Sequence, residues 1–261
     1  DHADATPPVG GLVILPVFLL LSFFAVMEFG TQWPLIAGTV LLLLTGALDD
    51  YADVRPSIKF FLQFVAALLV ALPGGAVIET LGNFLGFGEV RLGLFAIPFT
   101  VFCVMLLINA INMIDGLDGL AGGKSFIILL WLGIASGTGG GGADLPFIAL
   151  LMGALAGFLF YNMRSPVTKS AKVFLGDSGS MALGLILGWY CIHMSQGEDA
   201  VLAPISVAWI VAIPVIDAFG LFVLRMAKGR HPFSADRLHF HHHFVHAGFP
   251  VGHSTFAILM V

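Results

Sequence analysis

Four segments of the chain combine the side-chain types that bind phosphates and metal ions, and each borders an apolar stretch. The segment "INAINMIDGLDGLAGG" (108–123) spaces its polar groups three residues apart: Asn109, Asn112, Asp115 and Asp118. If one helix continues through them, each step turns about −60°, so all four share one side. A carboxylate at the end of a membrane helix usually faces a partner or a water-filled cavity. A C-terminal capping loop is the alternative.

The second segment, "LDDYADVRPSIK" (48–59), pairs two adjacent acids with a lysine. Asp49 and Asp50 end one apolar stretch, and Lys59 opens the next. Adjacent carboxylates repel each other, so the pKa of one is raised unless a cation lies nearby. The segment is therefore a candidate for acid–base or phosphate chemistry, or alternatively a solvated helix end.

The third segment is "VFLGDSGSMALG" (173–184), in which Asp177 and Ser178 begin an apolar stretch. Asp or Ser at this position is ordinarily a helix N-cap. The same helix start can also hold a phosphate or a metal–phosphate complex through its N–H groups. Phe174, three residues earlier, is either an anchor at the lipid interface or a flat platform for a base.

The fourth segment, "GRHPFSADRLHFHHHFVHAGF" (229–249), is rich in histidine and also contains Arg230 and Arg237. Its six histidines fall within sixteen residues: His231, His239, His241, His242, His243 and His246. Such a tract can indicate a transition-metal site, but no cysteine or carboxylate cluster in the segment completes one. Imidazoles and guanidinium groups facing a phosphate-rich substrate fit these residues better.

Together the four segments predict a site for phosphoryl transfer. Carboxylates without soft ligands favour a hard cation such as Mg²⁺, with Mn²⁺ as the alternative, held by one or two carboxylates plus substrate phosphates. Cations beside such a metal would neutralise charge on the phosphates, which together with positioning provides most of the catalysis in this chemistry.

The composition indicates that membrane helices position these groups. The chain has 261 residues, of which 58% are hydrophobic and 10% charged, with a mean hydropathy of +0.99. Soluble domains contain about 25% charged residues, so lipid is the expected solvent; a soluble protein with an unusually apolar core is the alternative. Cys103 and Cys191 lie in apolar runs and are expected to be buried free thiols. The net charge of −5 indicates no partner, and no nucleic acid is expected.

Stretches without charge predict an all-α, polytopic transmembrane bundle of eight to nine spans, in a single domain over residues 1–261. Each stretch has the length of about 17–25 residues that a helix needs to cross the hydrocarbon. They are residues 5–27, 29–48, 60–78, 92–114, 125–143, 145–163, 178–197 and 200–224, and a ninth begins near Ser254. Asp217 is the one charge in the eighth. The chain is expected to lack N- and C-terminal spans of the native protein.

The basic residues predict the orientation. When the loops are assigned alternately to two sides, ten of the eleven Lys and Arg residues fall on one side, and Arg91 alone falls on the other. Cytoplasmic loops carry the excess of basic residues. All four polar segments lie on this side, so the active site is predicted to be cytoplasmic.

The four segments, in their order along the chain, resemble those of the polyprenyl-phosphate N-acetylhexosamine-1-phosphate transferases of glycosyltransferase family 4. "HADATPPVGG" at the start is similar to the first motif of that family, with His2 as its histidine. The resemblance covers essentially the whole chain. It implies an integral membrane enzyme that transfers a sugar phosphate from a UDP-amino sugar to undecaprenyl phosphate and releases UMP.

The resemblance also implies roles for residues on the metal and the phosphates. Asp177 and Asn112 are expected to hold Mg²⁺ on the diphosphate. One acid of the pair Asp49 and Asp50 is expected to deprotonate or orient the lipid phosphate, and Lys59 to contact phosphate.

Further roles concern the nucleotide and the reacting centre. Phe174 and Gly116 are similar to the positions that sandwich uracil, and Asp118 to the one that hydrogen-bonds it. Asp115 is implied as a nucleophile or as an organiser of the site; direct in-line attack, without a covalent intermediate, is the preferred interpretation. Among the remaining positions, His239, His241 and His242 are expected to be catalytic, and His2, Asn109 and Arg237 are expected to bind substrate.

The last segment favours a branch of the family. Asp236, Arg237, His239, His241 and His242 resemble the pattern of the N-acetylglucosamine branch, whereas "HHHF" (241–244) also fits the branch that uses UDP-MurNAc-pentapeptide. The aspartate pair without a third adjacent Asp favours the first branch. The basic residues common before the first histidine are replaced here by Asp1.

Three further expectations concern context. Resemblance to the family implies the bacterial inner membrane and the initiation of cell-surface polysaccharide synthesis, and analogy suggests a homodimer. A cation-coupled transporter is the alternative from another class, because buried acids such as Asp217 are typical of transporters. Transporters usually carry their acids near the midplane and show repeated halves, whereas here the acids cluster at one face and no repeat is visible.

Overall fold

The computed structural model describes residues 6–25, 29–140, 142, 144–164, 168, 170–229, 239–240, 243–244 and 247–260. Within these residues the chain is helical and forms no β-strand. The helices are α1 (Gly10–Ala25), α2 (Phe29–Ala52), α3 (Pro56–Ala71), α4 (Ala96–Met113, preceded by a 3₁₀ turn at Gly93–Phe95), α5 (Leu120–Thr138), α6 (Leu145–Asn162), α7 (Gly176–His193), α8 (Pro204–Ile210), α9 (Ala212–Ala227) and α10 (Val251–Met260).

Helix α7 lies at the centre of the bundle. Every residue from Ser178 to Ile192 is buried, and the helix packs mainly against α2 and α4, with further contacts to α1 and α5. Asp177, in its first turn, therefore begins the most enclosed helix of the described chain. A residue placed there is held from several directions.

Two glycines permit the close approach of α2 to α7. A Cβ on Gly46 of α2 would overlap the backbone of Ser178. Gly176, the first residue of α7, has φ +77°, and a Cβ there would lie 2.6 Å from Oδ2 of Asp50. Glycine tolerates both the left-handed conformation and the lack of space. The end of α2 and the start of α7 can therefore meet at backbone distance.

Four helical segments are long and apolar enough to cross a membrane, and each coincides closely with a predicted span. They are Gln32–Ala52, Gly93–Met113, Leu120–Thr138 and Leu145–Asn162. The pair α8 and α9, bent by 76°, makes a fifth if it is counted as one broken span, and it matches the predicted span 200–224. The described part of the chain is thus an all-helical bundle with four to five candidate membrane-spanning helices.

The other predicted spans correspond to helices that do not meet the same criteria. Helices α1, α3 and α10 are apolar but have 10–17 residues. Helix α7 is long enough but carries Asp177, three serines or glycines after it, and His193. Because its neighbours enclose it, α7 does not need the uniformly apolar surface of a lipid-facing helix.

Candidate active site

A cavity of about 460 Å³ opens where the ends of α2, α4, α6 and α7 meet. Ligand-binding pockets typically have about 300–1,000 Å³, so the cavity is large enough for a nucleotide-sized group. Six residues singled out in the sequence line it together: Asp50, Asp115, Gly116, Asp118, Phe174 and Asp177. The structure thus brings together residues from three of the four polar segments.

The segment that follows α4 does not continue the helix. Helix α4 ends at Met113, residues 114–119 form turns, and Gly119 has φ +80°. The expectation that four polar residues share one side of a continuing helix is therefore wrong, because the chain turns after Met113. Asp115 and Asp118 reach the cavity from this turn instead.

Asp177 is held by an amide from α4. Nδ2 of Asn112 donates to Oδ1 of Asp177 and to Oγ of Ser180, both at 2.9 Å. The hydroxyl of Ser180 donates in turn to the carbonyl of Gly176 at 3.0 Å. Asn112 and Asp177, which the resemblance implies as metal ligands, are thus neighbours.

Lys59 joins two acids that are distant in sequence. Its Nζ lies 2.6 Å from Oδ2 of Asp49 and 3.0 Å from Oδ2 of Asp177. Oδ1 of Asp49 also accepts the N–H of Val54 at 2.8 Å. The lysine therefore supplies the cation that adjacent carboxylates require, and it links α3 to the start of α7.

Asp50 has a different environment from Asp49. Its two carboxylate oxygens accept the backbone N–H groups of Asp177 at 2.9 Å and of Ser178 at 3.2 Å. These donors at the start of α7 are consequently engaged by a side chain, rather than available to a phosphate as the sequence had suggested. Asp50 is the N-terminal cap of α7, supplied by another helix.

Two backbone segments hold Phe174 at the edge of the cavity. Its N–H donates to the carbonyl of Pro7 at 3.0 Å, and its carbonyl accepts the N–H of Gly10 at 2.9 Å. Gly11 donates similarly to Leu175 at 2.9 Å. The "PPVGG" part of the first motif therefore positions Phe174, whose ring the resemblance places against uracil.

Asn162 and Arg164 belong to the cavity but were not singled out in the sequence. Oδ1 of Asn162 accepts the N–H of Gly119 at 2.7 Å, and its Nδ2 donates to the carbonyl of Val173, also at 2.7 Å. This buried amide ties the 114–119 turn to the segment of Phe174. The sequence signal that could have identified both residues is the polar pattern "N-x-R" at the end of an apolar stretch.

Arg164 forms an ion pair with Asp118. Its Nε lies 2.6 Å from Oδ2 of Asp118, whose side chain is only 6% exposed. The backbone carbonyl of Asp118 accepts the hydroxyl of Thr255 at 3.0 Å. The carboxylate of Asp118, which the resemblance implies as a partner of uracil, is therefore accompanied by a guanidinium that lines the same cavity.

The cavity has an excess of negative charge, which is reflected at Asp115. Burial, together with the carboxylates of Asp177 and Asp50, raises the pKa of Asp115 to about 7. Repulsion of this kind favours a proton or a bound cation in the cavity. Asp115 lies in the turn after α4, outside the candidate membrane span.

The residues present fit a magnesium ion that substrate phosphates help to hold. Asp177 offers carboxylate oxygens, and an asparagine such as Asn112 keeps a carbonyl oxygen when its nitrogen donates. In the described part of the chain, no group of three or more His, Cys, Asp or Glu residues is arranged to hold a metal alone. Mg²⁺ is commonly bound by one or two carboxylates plus phosphates, which suits this donor set.

Other predicted site residues lie elsewhere. Nδ2 of Asn109 donates to Oε1 of Gln63 at 2.7 Å and to the carbonyl of Met105 at 2.8 Å, and Asn109 does not line the cavity. His239 contacts Asp217 at 3.1 Å. His2, Arg237, His241 and His242 lie outside the described residues.

Comparison with known proteins identifies the family. The model of glycosyl transferase family 4 matches residues 32–195. The chain belongs to glycosyl transferase family 4. The matched region of this family 4 chain includes Asp49, Asp50, Lys59, Asn112 and Asp177, so it contains the network around Asp177 completely.

Relatives of the family 4 chain cover nearly all of it. Three of them are named undecaprenyl-phosphate alpha-N-acetylglucosaminyl 1-phosphate transferase. The protein from Haemophilus influenzae is 32% identical over 247 residues, which cover 95% of this chain and 70% of the relative. The protein from Yersinia pestis is 32% identical over 252 residues (95% and 68%), and that from Escherichia coli K12 is 31% identical over 253 residues (95% and 67%).

Proposed function

We propose that this chain is a phosphoglycosyl transferase that moves N-acetylglucosamine-1-phosphate from UDP-N-acetylglucosamine to undecaprenyl phosphate. The observation that carries the proposal is a single cavity that joins Phe174, Gly116 and Asp118 to Asp177. A base-binding edge and a phosphate-binding edge are thereby combined in one site. The names of the relatives, which specify this donor sugar and this acceptor, support the choice of substrates.

In the proposed reaction, a phosphate oxygen of undecaprenyl phosphate attacks the phosphorus next to the sugar. The bond between that phosphorus and the bridging oxygen of the diphosphate breaks, and UMP leaves with the bridging oxygen. Undecaprenyl diphosphate N-acetylglucosamine remains. In this direct displacement, Asp115 acts as an organiser of charge in the cavity rather than as a nucleophile.

Residues of the chain bind and orient the reactants. Phe174 offers a ring for the base, with Gly116 and the Asp118–Arg164 pair beside it. Lys59, already between Asp49 and Asp177, lies where an ammonium can also attract a phosphate, since it has three donors. Asp50 holds the start of α7 and thereby the position of Asp177.

Asp177 and Asn112 would hold a magnesium ion against the donor diphosphate, with Mn²⁺ as an alternative ion. When bound, the ion would neutralise negative charge on the phosphates. The histidines of segment 239–243 and Arg237 are proposed to add positive charge on the side of the lipid phosphate.

The proposed location is the bacterial inner membrane, with the cavity facing the cytoplasm. The excess of Lys and Arg in the loops on the side of the cavity supports this orientation. Some helices are too short or too polar to be candidate membrane spans by themselves. We propose that they also cross the membrane as parts of the bundle, which gives eight to nine crossings. A homodimer is proposed by family analogy.

The purified chain in detergent tests the function. We expect UMP release from UDP-N-acetylglucosamine that requires both undecaprenyl phosphate and Mg²⁺, and a large loss of this release in Asp177→Asn. The matched control is Asp199→Asn, which changes an exposed acid away from the cavity. Full Mg²⁺-dependent release by Asp177→Asn would refute the role assigned to this carboxylate.

A panel of radiolabelled donors tests the sugar. UDP-N-acetylglucosamine, UDP-MurNAc-pentapeptide and another UDP-amino sugar are offered with the same acceptor. Preference for the pentapeptide donor would assign the chain to peptidoglycan synthesis instead. Absence of transfer from every donor, with cation-driven uptake in vesicles, would favour the transporter.

A further inference from the structure

Asp217 is a carboxylate inside an apolar helix, and the proposed reaction has no role for it. It lies in α9, in the candidate broken span formed by α8 and α9. Its neighbours on both sides in sequence, Ile216 and Ala218, are apolar. Ionisable residues within membrane segments are costly and commonly functional. The sequence left open whether Asp217 is structural.

Both carboxylate oxygens of Asp217 contact the histidine segment. Oδ2 lies 3.1 Å from Nδ1 of His239, and Oδ1 accepts the backbone N–H of Phe240 at 2.8 Å. The side chains of Asp217 and His239 are 10% and 11% exposed. One carboxylate therefore fixes a side chain and the adjacent backbone at the same time.

The surroundings make these contacts strong. Asp217 and Phe240 line a small cavity together with Ile114, Ile258 and the buried Lys124 of α5. They also line a groove of about 360 Å³ with Leu221 and His243. Hydrogen bonds are electrostatically stronger in such apolar surroundings than in water.

We propose that Asp217 is a positioning residue, which orients the imidazole of His239 and anchors the backbone at Phe240 for phosphate binding. The inference rests on the proposed function. With Nδ1 of His239 held at Oδ2 of Asp217, the orientation of the imidazole ring is fixed. Carboxylate partners of this kind fix the orientation of functional histidines.

A double-mutant cycle tests whether Asp217 acts through His239. The full chain is compared with Asp217→Asn, Asp217→Glu, His239→Ala and the double variant Asp217→Asn/His239→Ala, by measuring kcat and KM for UMP release. We expect Asp217→Asn to lower kcat about 10- to 100-fold. This is the range seen when the hydrogen-bond partner of a metal-bound histidine is removed. KM for the nucleotide sugar should change less than about twofold, and Asp217→Glu should restore part of kcat.

The cycle also separates positioning from a general structural effect. Residues that act as a unit are strongly non-additive, so the double variant should be no slower than His239→Ala. Ile216→Ala, at an exposed neighbour on α9, is the matched control and should keep the wild-type kcat. Additive losses, or an unchanged kcat in Asp217→Asn, would overturn the inference.

A labelling measurement tests the contact without activity. His239 is buried, whereas the side chain of His193 is 49% exposed. In Asp217→Asn, modification of His239 by diethyl pyrocarbonate should become several times faster, while that of His193 stays unchanged. Equal labelling of His239 in both proteins would contradict the anchoring role. Failure of the proposed function itself would instead appear as a wild-type chain that releases no UMP.

Discussion

The carboxylate of Asp50 caps the helix that begins beside Asp177, through a hydrogen bond of 2.9 Å to the N–H of Asp177. The two adjacent acids at the end of α2 therefore have separate environments. Asp49 pairs with Lys59, and Asp50 completes a helix terminus that belongs to another part of the chain. A cap accepts donors that would otherwise be unpaired.

Asp50→Ala should destabilise the start of α7. Loss of a capping side chain costs about 1 kcal/mol, so we expect a lower melting temperature in detergent and weaker activity through displacement of Asp177. Asp50→Asn keeps an oxygen acceptor and should lose less. Asp53→Asn changes an exposed residue with φ +51°, a conformation that asparagine tolerates, and should match wild type. Equal stability of Asp50→Ala and wild type would rule out the cap.

Gly46→Ala should separate α2 from α7. The added methyl would overlap the backbone of Ser178, and overpacking typically costs about 1–3 kcal/mol. A lower melting temperature and reduced UMP release are expected together, because the strain falls beside Asp177. Gly153→Ala is the control: it lies within α6, and a Cβ there meets nothing within 4 Å. It should be neutral or slightly stabilising, since alanine is the better helix former.

Asp115 should make stability depend on pH when no divalent cation is present. Its pKa of about 7 lies above the unfolded value of about 3.9, so the native state binds more protons between these values. The free energy of unfolding therefore falls as pH rises through that window. In Asp115→Asn, the melting temperature should fall less steeply between pH 5 and pH 8. The difference in melting temperature between this variant and wild type should be largest at pH 8. Parallel curves for the two proteins would contradict the assignment.

Arg164→Gln should weaken nucleotide binding. The substitution removes the ion-pair partner of Asp118, whose carboxylate is nearly buried. A buried carboxylate beside the uracil without its cation is unfavourable. We expect the Kd for UMP, measured by calorimetry, to increase about tenfold, since a hydrogen bond to a charged group contributes about 1.5 kcal/mol or more. Arg91→Gln breaks the exposed pair with Glu89 and should leave the Kd unchanged, because surface pairs contribute little. An unaltered Kd in Arg164→Gln would exclude the pair from the nucleotide site.

The sequence predicted the helical class, four of the spans and half of the residues that line the cavity, because apolar length and clustered polar residues are local signals. It did not predict that the chain turns after Met113, since the sequence from Asn109 to Asp118 is equally compatible with a helical period. Gly116 and Gly119 permit a turn there, but only tertiary packing selects the turn over a continuing helix.

Contacts between distant segments were the least predictable part. Arg164 meets Asp118 across 46 residues, and no local pattern links them. Residues 178–197 were predicted as one of the spans, and the structure adds that other helices of the protein enclose this segment. Periodicity indicates which residues avoid water, but it does not distinguish a lipid neighbour from a protein neighbour.

The enclosure of α7 also separates the reaction centre from the mechanics of the bilayer. Helices in contact with lipid respond to a thinner or thicker membrane by tilting or bending. Helix α7 presents no continuous surface to the acyl chains, so such changes reach Asp177 only through the surrounding helices. The broken pair α8 and α9, with exposed Trp209, Ile216 and Phe219, is by contrast in direct contact with its surroundings. A membrane that varies in thickness would therefore act first on the element that carries Asp217, and last on the helix that carries Asp177.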